Sequence, residues 1–199
     1  MAFQFMPGAT ALGLTYNGGV ILAAEKRISY GNFVVNKNTK KIFPVTNRVA
    51  AACAGMVADM QVLIRQVTAL AKIRKLETRR EVATNSIAKL MSVIMFERRY
   101  FPLLTQVIVG GIDSKPQVYT LDPLGSLLPD IYAAVGTGAE MALGVLDADY
   151  REGMTEDEAK NLAIKAIKSS IQRDSASGDG IDLLLISNNG ILQNTLPAS

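Results

Sequence analysis

Residues 11–27 read ALGLTYNGGVILAAEKR, two short apolar runs on either side of the tripeptide NGG at 17–19. Asn and Gly favour tight turns, and the flanking residues are largely aliphatic, so this stretch predicts a β-hairpin. Further β-rich segments follow as far as Gly55, namely NFVV, KKIF and RVAAACAG. The N-terminal part of the chain is therefore predicted to form a meander of antiparallel strands.

Two amphipathic helices are predicted after this meander. Apolar residues recur there at helical spacing in two series, Met60, Leu63, Ile64, Val67 and Leu70, and then Ile87, Leu90, Met91, Ile94 and Met95. Strands return in TQVIVGGID, QVYTLDP and DIYAAVGTG, and a second helix pair is predicted at about 139–150 and 155–173, the latter with a capping box of Thr155 and Glu158. IDLLLIS and GILQN close the chain as strands.

Strands and helices thus come in separate blocks, which indicates an α+β fold with two antiparallel sheets between helix layers. The length of 199 residues and the 49% hydrophobic content suit one domain with one well-filled core. No Pro/Gly/Ser-rich linker divides the sequence. A short leader, residues 1–9, is expected to precede a single domain over residues 10–199.

The composition also limits the possible functions. Twenty-one basic against 18 acidic residues give a net charge of only +3, too small a surplus to predict nucleic-acid binding. The chain has no histidine and a single cysteine, Cys53, so no metal and no cofactor are expected. No apolar run is long enough to span a membrane, and MAFQFMPG is not a secretory signal, so a cytoplasmic protein is expected.

Without histidine, a hydrolase needs another way to activate its nucleophile. One solution is an N-terminal threonine whose own α-amino group acts as the base, exposed by self-cleavage of a leader such as MPG before ATALG. Lys40 and Lys41 are predicted to lie in a strand, where alternation turns one of them inward. Lys41 and Glu25, at the end of an apolar strand, form a candidate pair that tunes such a nucleophile; an exposed edge-strand ion pair is the alternative.

Three more stretches carry candidate site residues. QRDSASGDG at 172–180 places Asp174 and Ser177 after a helix, either as part of a polar site or as ordinary turn residues at a helix C-terminus. GTGAE at 136–140 lacks the lysine and the spacing of a phosphate-binding loop. Gly55 either offers a backbone N–H to an oxyanion or is a simple turn glycine.

In order and spacing, five stretches resemble the β-type subunit of the archaeal proteasome core particle: VILAAEKRISYGNFVVNKNTKKIF, AACAGMVADMQVLIRQ, VIVGGIDSKPQVYTLDPLGS, YAAVGTGA and RDSASGDGIDLLLI. The resemblance implies the N-terminal nucleophile hydrolase fold, a four-layer αββα sandwich, and a threonine endopeptidase matured by autocatalytic cleavage. It implies heptameric β rings between rings of α subunits, and an AAA-type ATPase regulator that acts through the α ring. Unfolded polypeptides are the implied substrates.

The resemblance also implies a role for each candidate residue. Lys41 corresponds to the catalytic lysine, and Glu25 to its acidic partner. Gly55 corresponds to the oxyanion-hole glycine. The residues that order the nucleophile's amine correspond to Asp174, Ser177 and Thr137, the last in place of a family serine. The residues that line the family's specificity pocket correspond to Ile28, Thr39, Phe43, Cys53 and Val57, which favours cleavage after hydrophobic residues.

The departure from the family lies at the nucleophile. The family has a strand glycine four residues after its first mature threonine, and counting back from Gly13 reaches Ala9, which has no hydroxyl. Three hypotheses follow. In the first, the chain is a silent β subunit that serves ring assembly beside active subunits. In the second, it uses Thr10 as nucleophile after removal of residues 1–9. Against the second, one step along a strand turns a side chain to the opposite face. The third is a freestanding amidase or binding domain of the same fold.

Overall fold

A computed structural model describes residues 8–197 of the chain. Its four helices are α1 Val57–Thr78, α2 Thr84–Glu97, α3 Ala139–Asp149 and α4 Glu156–Arg173. Its strands are β1 Thr10–Tyr16, β2 Gly19–Glu25, β3 Ile28–Tyr30, β4 Phe33–Asn36, β5 Ile42–Pro44, β6 Val49–Gly55, β7 Thr105–Ile112, β8 Pro116–Leu121, β9 Leu127–Asp130, β10 Tyr132–Gly136, β11 Ile181–Ser187 and β12 Gly190–Leu196.

The strands form two large antiparallel sheets and one small one. The first large sheet has the order β10-β1-β2-β11-β12, and the second has the order β5-β6-β7-β8-β9. The small sheet contains only β3 and β4. The predicted hairpin at 11–27 is confirmed, because β1 pairs with β2 around the turn at 17–19.

Three apolar clusters hold these layers together. One lies between the two large sheets and contains small side chains such as Ala11, Ala24 and Ala52. A second joins α3 and α4 to the first sheet, and a third joins α1 and α2 to the second sheet. The predicted α+β class and the αββα layer order are therefore confirmed. Alternate side chains of β1 and β2 enter different clusters, so strand register decides which residues meet the site.

The predicted helix bounds near 139–150 and 155–173 are confirmed within two residues, and the capping box is present. The Glu158 backbone N–H donates to Thr155 Oγ1 at 3.3 Å, and the Thr155 N–H donates to Glu158 Oε2 at 2.8 Å. These bonds satisfy two helix-end donors that would otherwise have no partner. Within residues 8–197, no helix is long and apolar enough to cross a membrane.

Three expectations about the strands were wrong. The N-terminal strands do not form one meander, since β1–β2, β3–β4 and β5–β6 belong to three different sheets. The run 130–138 is not one strand, because the chain passes from β9 in one sheet to β10 in the other at Ile131. Lys40 and Lys41 precede β5 instead of lying in it. An alternating pattern indicates an extended segment, but it does not identify its partner.

Candidate active site

The register of β1 turns Ala9 and Thr10 to opposite faces of the first sheet. Ala9 packs into the apolar cluster between the two sheets, together with Ala11. Thr10 points the other way, where its Oγ1 lies 2.7 Å from Ser177 Oγ. Across the described residues, β1 pairs with β2 and β10 in continuous register with no bulge between Thr10 and Tyr16. The two candidate nucleophile positions therefore face different surroundings.

Glu25 and Lys41 form a buried ion pair. Both side chains are 0% exposed, and Lys41 Nζ donates a hydrogen bond to Glu25 Oε1. Glu25 Oε1 also accepts the Thr10 N–H at 3.1 Å, while Oε2 accepts the N–H groups of Arg27 at 2.7 Å and Gly178 at 3.0 Å. Lys41 Nζ also donates to the Arg27 carbonyl at 2.5 Å. This burial excludes the alternative of an exposed edge-strand ion pair.

Burial shifts both members of the pair toward their neutral forms. Loss of water raises the pKa of Glu25 and lowers the pKa of Lys41, and their mutual attraction opposes both shifts. A lysine with a lowered pKa releases a proton more readily than an exposed one, which suits a group that exchanges protons with a neighbouring nucleophile.

A chain of hydroxyl groups connects β1 to one carboxylate. Asp174 Oδ2 accepts from Thr137 Oγ1 at 2.6 Å and from Ser177 Oγ at 2.7 Å. Because Ser177 gives its proton to Asp174, the 2.7 Å contact between Thr10 and Ser177 has Thr10 as the donor. Thr137 Oγ1 accepts the Ala9 N–H at 3.2 Å. Both N-terminal strand residues are thus connected to Asp174.

The segment after α4 serves as a helix-end turn and as part of this cluster at the same time. Asp174 Oδ1 accepts the Ala176 N–H at 3.0 Å, and the Asp174 carbonyl accepts the Ser177 N–H at 3.1 Å. These are ordinary turn bonds. The same carboxylate reaches Thr137 with its other oxygen. The two interpretations of QRDSASGDG therefore both describe the structure.

Two glycines are required by the backbone around the site. Gly136 has φ +99°, and a Cβ there would lie 1.9 Å from the Ala9 carbonyl oxygen. Gly55 has φ +138°, and a Cβ there would lie 2.2 Å from the Leu104 carbonyl oxygen. Side chains are strongly disfavoured at both positions. The part of Gly55 in an oxyanion hole stays a prediction.

The GTGAE stretch places Thr137 in the hydroxyl chain and begins α3 at Ala139.

The five residues predicted to line a specificity pocket differ in exposure. Ile28 and Cys53 are buried, whereas Thr39, Phe43 and Val57 are partly exposed. Cys53 belongs to the apolar cluster under α1 and α2, and Phe43 packs against that cluster. Their part in specificity stays a prediction.

Cys53 is expected to resist alkylation in the folded protein. The residue is 0% exposed, and burial raises the pKa of its thiol to about 12, so almost no thiolate exists near neutral pH. Treatment with iodoacetamide at neutral pH followed by mass spectrometry is expected to find no modified chain, and full modification after denaturation. Rapid labelling of the native protein would contradict the packing of β6 against α1 and α2.

Sequence reasoning missed some members of the site. The hydrogen bonds of Thr10 to Ser177 and Glu25 were not predicted, and neither were the contacts of Arg27, Gly178 and Asp179. The sequence signals were a basic residue two positions after Glu25 and the GDG turn at 178–180. Among residues 8–197, no cluster of three or more acidic or cysteine side chains is arranged to hold a metal ion.

Comparison with known proteins places these observations in a family. Residues 6–186 match the family model described as Proteasome subunit. The chain is 64% identical over 187 residues to Proteasome subunit beta 1 of Nitrosopumilus maritimus, covering 94% of each chain. It is 64% identical over 185 residues to Proteasome subunit beta 1 of Cenarchaeum symbiosum, covering 93% of this chain and 96% of the relative. Proteasome subunit beta 2 of Pyrobaculum arsenaticum is 51% identical over 191 residues, which cover 96% of this chain and 94% of the relative.

Proposed function

Because the chain belongs to the proteasome subunit family as a β-type subunit, we propose that it enters the core particle as a non-catalytic member of the β ring. β subunits of this threonine protease family assemble into rings with α subunits. One observation carries the proposal: Ala9 has no hydroxyl, and the hydroxyl of its neighbour Thr10 lies on the opposite face of the sheet.

The position of Thr10 argues against its use as a nucleophile. Its side chain is 0% exposed, and its hydroxyl proton is donated to Ser177. Its backbone N–H donates to Glu25 Oε1 at 3.1 Å. One step along a strand moves a group by about 3.3 Å and turns it to the other face, and attack on a peptide carbonyl does not tolerate such a displacement.

The retained polar residues near Ala9 and Thr10 support the proposal that the rest of the site is intact. The Glu25–Lys41 pair is buried and hydrogen-bonded, and the Asp174 carboxylate accepts hydrogen bonds from both Ser177 and Thr137. We therefore propose that only the nucleophile has been lost. The names of the relatives number their β subunits as beta 1 and beta 2, and this numbering supports a ring shared with a second, active kind of β subunit.

In the proposed assembly, heptameric β rings lie between α rings in the cytoplasm. An AAA-type ATPase regulator passes unfolded polypeptides through the α ring into the chamber.

Exposed aromatic side chains near the end of α2 support assembly over the alternative of a freestanding amidase. Phe96 is 54% exposed, Tyr100 79% and Phe101 90%, whereas Met91 and Met95 are core residues. Apolar patches of this kind mark contact surfaces in soluble proteins. Size-exclusion chromatography with α subunits separates these alternatives.

The proposal is tested on the unsubstituted chain assembled with α subunits. We expect its intact mass to include every residue before Ala9, and a peptide epoxyketone or vinyl sulfone to leave it unlabelled. A β subunit with threonine at the matching position, assembled in the same way, provides the positive control. Loss of residues 1–9 together with labelling at Thr10 would overturn the proposal in favour of an active subunit.

A further inference from the structure

Arg27 connects the two halves of the polar cluster. Its guanidinium donates from Nε to Asp179 Oδ2 at 2.7 Å and from one terminal nitrogen to the Ser175 carbonyl at 3.0 Å. Its backbone N–H donates to Glu25 at 2.7 Å, and its carbonyl accepts from Lys41 at 2.5 Å. The side chain therefore binds the segment after α4, while the backbone of the same residue binds the buried ion pair.

Asp179 has an unusual backbone conformation. Its φ is +65°, in the left-handed region that most side chains avoid, although Asp tolerates it better than most residues. A residue stays in such a conformation only where the surrounding contacts hold it. The Asp179 carboxylate forms an ion pair with Arg27, whose hydrogen bond also holds the pKa of that carboxyl below its usual value.

Gly178 fits closely against the same arginine. A Cβ on Gly178 would lie 2.5 Å from Arg27 Cζ, so the guanidinium lies directly against the loop backbone. From this position the Gly178 N–H reaches Glu25 Oε2, and the preceding residue, Ser177, reaches Thr10 and Asp174. A shift of the loop away from Arg27 would lengthen the bonds of Gly178 to Glu25 and of Ser177 to Thr10 together.

We propose that Arg27 and Asp179 act as a pair of positioning residues that clamp the loop 174–180 onto the end of β2 and thereby place Ser177 and the Gly178 N–H in the site. The clamp does not touch the reacting atoms; it acts through Ser177 and Gly178. Its effect on catalysis rests on the function proposed above for this site, whereas its effect on the loop does not.

The exposure of the pair distinguishes a positioning role from a general structural one. The side chains are 25% and 17% exposed, so the pair is partly open to solvent, and removing it costs less global stability than breaking a fully buried pair. Loss of the clamp is therefore expected to loosen the loop without unfolding the domain. A purely structural role would instead lower the melting temperature in step with the loop effect.

The matched control is the neighbouring ion pair. Lys26 precedes Arg27, and its Nζ lies 3.5 Å from Asp182 Oδ1 on β11. Substituting Lys26→Met removes a cation from the same turn, but it leaves the Arg27 contacts to Asp179 and Ser175 in place. A non-specific effect of lost charge would appear in this variant as well.

The first test measures amide hydrogen exchange by mass spectrometry in the assembled chain. We expect Arg27→Met to speed exchange in the segment 174–180 by about tenfold or more, as local opening does, with the melting temperature nearly unchanged. Asp179→Ala is expected to give a smaller increase, because it leaves the contact of Arg27 to the Ser175 carbonyl, and the double variant is expected to match Arg27→Met alone. Arg27→Lys is expected to restore protection only in part, since one ammonium cannot reproduce the two-sided contact. Unchanged exchange in Arg27→Met, or equal acceleration in Lys26→Met, would overturn the clamp.

The second test uses the Ala9→Thr background. There Arg27→Met is expected to lower kcat by about tenfold with KM nearly unchanged, because a misplaced loop affects the reacting geometry more than substrate binding. Equal kcat in the two proteins would overturn the catalytic part of the proposal. If Ala9→Thr itself shows no activity, the proposal that only the nucleophile has been lost fails, and the exchange measurement still decides whether the clamp exists.

Discussion

Substituting threonine for Ala9 is expected to give a chain that removes its own residues 1–8 and then hydrolyses peptides. A hydroxyl at position 9 would lie on the strand face opposite Thr10, in a site that retains Glu25, Lys41 and Asp174. Turnover is expected to exceed that of the unsubstituted chain by at least about a thousandfold, since loss of a nucleophile costs this much or more.

The expected course begins with self-cleavage. The new hydroxyl attacks the Gly8 carbonyl carbon, the amide bond to residue 9 breaks, and water hydrolyses the resulting ester to leave a free α-amino group. Thr137 Oγ1, which now accepts the N–H of residue 9, would then bind that amine. When the hydroxyl attacks a substrate, we expect its proton to pass to the amine, Lys41 to lower the pKa of the reacting group and the Gly55 N–H to stabilise the oxyanion.

The matched control is Ala9→Val, which adds nearly the volume of threonine without its hydroxyl. Ala9 is only 2% exposed, so this control separates the chemical effect of the hydroxyl from the effect of filling the inter-sheet space. The double variant Ala9→Thr with Lys41→Met is expected to stay unprocessed. Intact mass and hydrolysis of a fluorogenic peptide measure both outcomes. An intact leader and no turnover in Ala9→Thr would show that more than the nucleophile has been lost.

Substituting alanine for Glu25 is expected to destabilise the domain by about 3–5 kcal/mol, the usual cost of breaking a buried ion pair from one side. The change leaves the Lys41 ammonium buried without its carboxylate. It also removes the acceptor of the Thr10, Arg27 and Gly178 N–H groups. Each buried donor without a partner adds a cost of its own.

Lys41→Met is expected to cost less than Glu25→Ala. The carboxylate at Glu25 keeps its three backbone donors after the lysine is gone, whereas the lysine without Glu25 keeps only the Arg27 carbonyl. Chemical denaturation of each variant measures the free energy of unfolding. Lys165→Ala, which breaks the exposed pair with Asp149, is the control and is expected to cost under about 1 kcal/mol. Equal costs for Glu25→Ala and Lys165→Ala would contradict the burial of the pair.

The sequence predicted those parts of the fold that depend on local pattern. The hairpin at 11–27, the helices and the capping box at Thr155 follow from turn residues and from periodicities of two and 3.6 residues. Sheet membership was not predictable in this way, because β6 is a largely apolar, fully buried strand like β2 but pairs in the other sheet. The change of sheet at Ile131 likewise leaves no mark in the polarity of the run 130–138.

For the site, the sequence indicated charged residues in stretches that are otherwise apolar. A carboxylate at the end of an apolar strand, Glu25, and an inward lysine, Lys41, are costly to bury and so indicated a partner. The contact between Arg27 and Asp179 was not predictable, because the two residues lie 152 positions apart and meet only through a turn in the left-handed conformation. Long-range contacts between loops depend on the assembled sheets and not on local pattern.

The continuous register of β1 also has a genetic consequence. Alanine and threonine codons differ only in their first base, a guanine in one and an adenine in the other. Glu25, Lys41 and Asp174 are all retained, so if Ala9→Thr restores activity, a single transition in the gene separates a silent subunit from a cutting one. The number of cutting sites in a mixed ring would then be open to natural selection through point mutation of one gene, without any rebuilding of the fold.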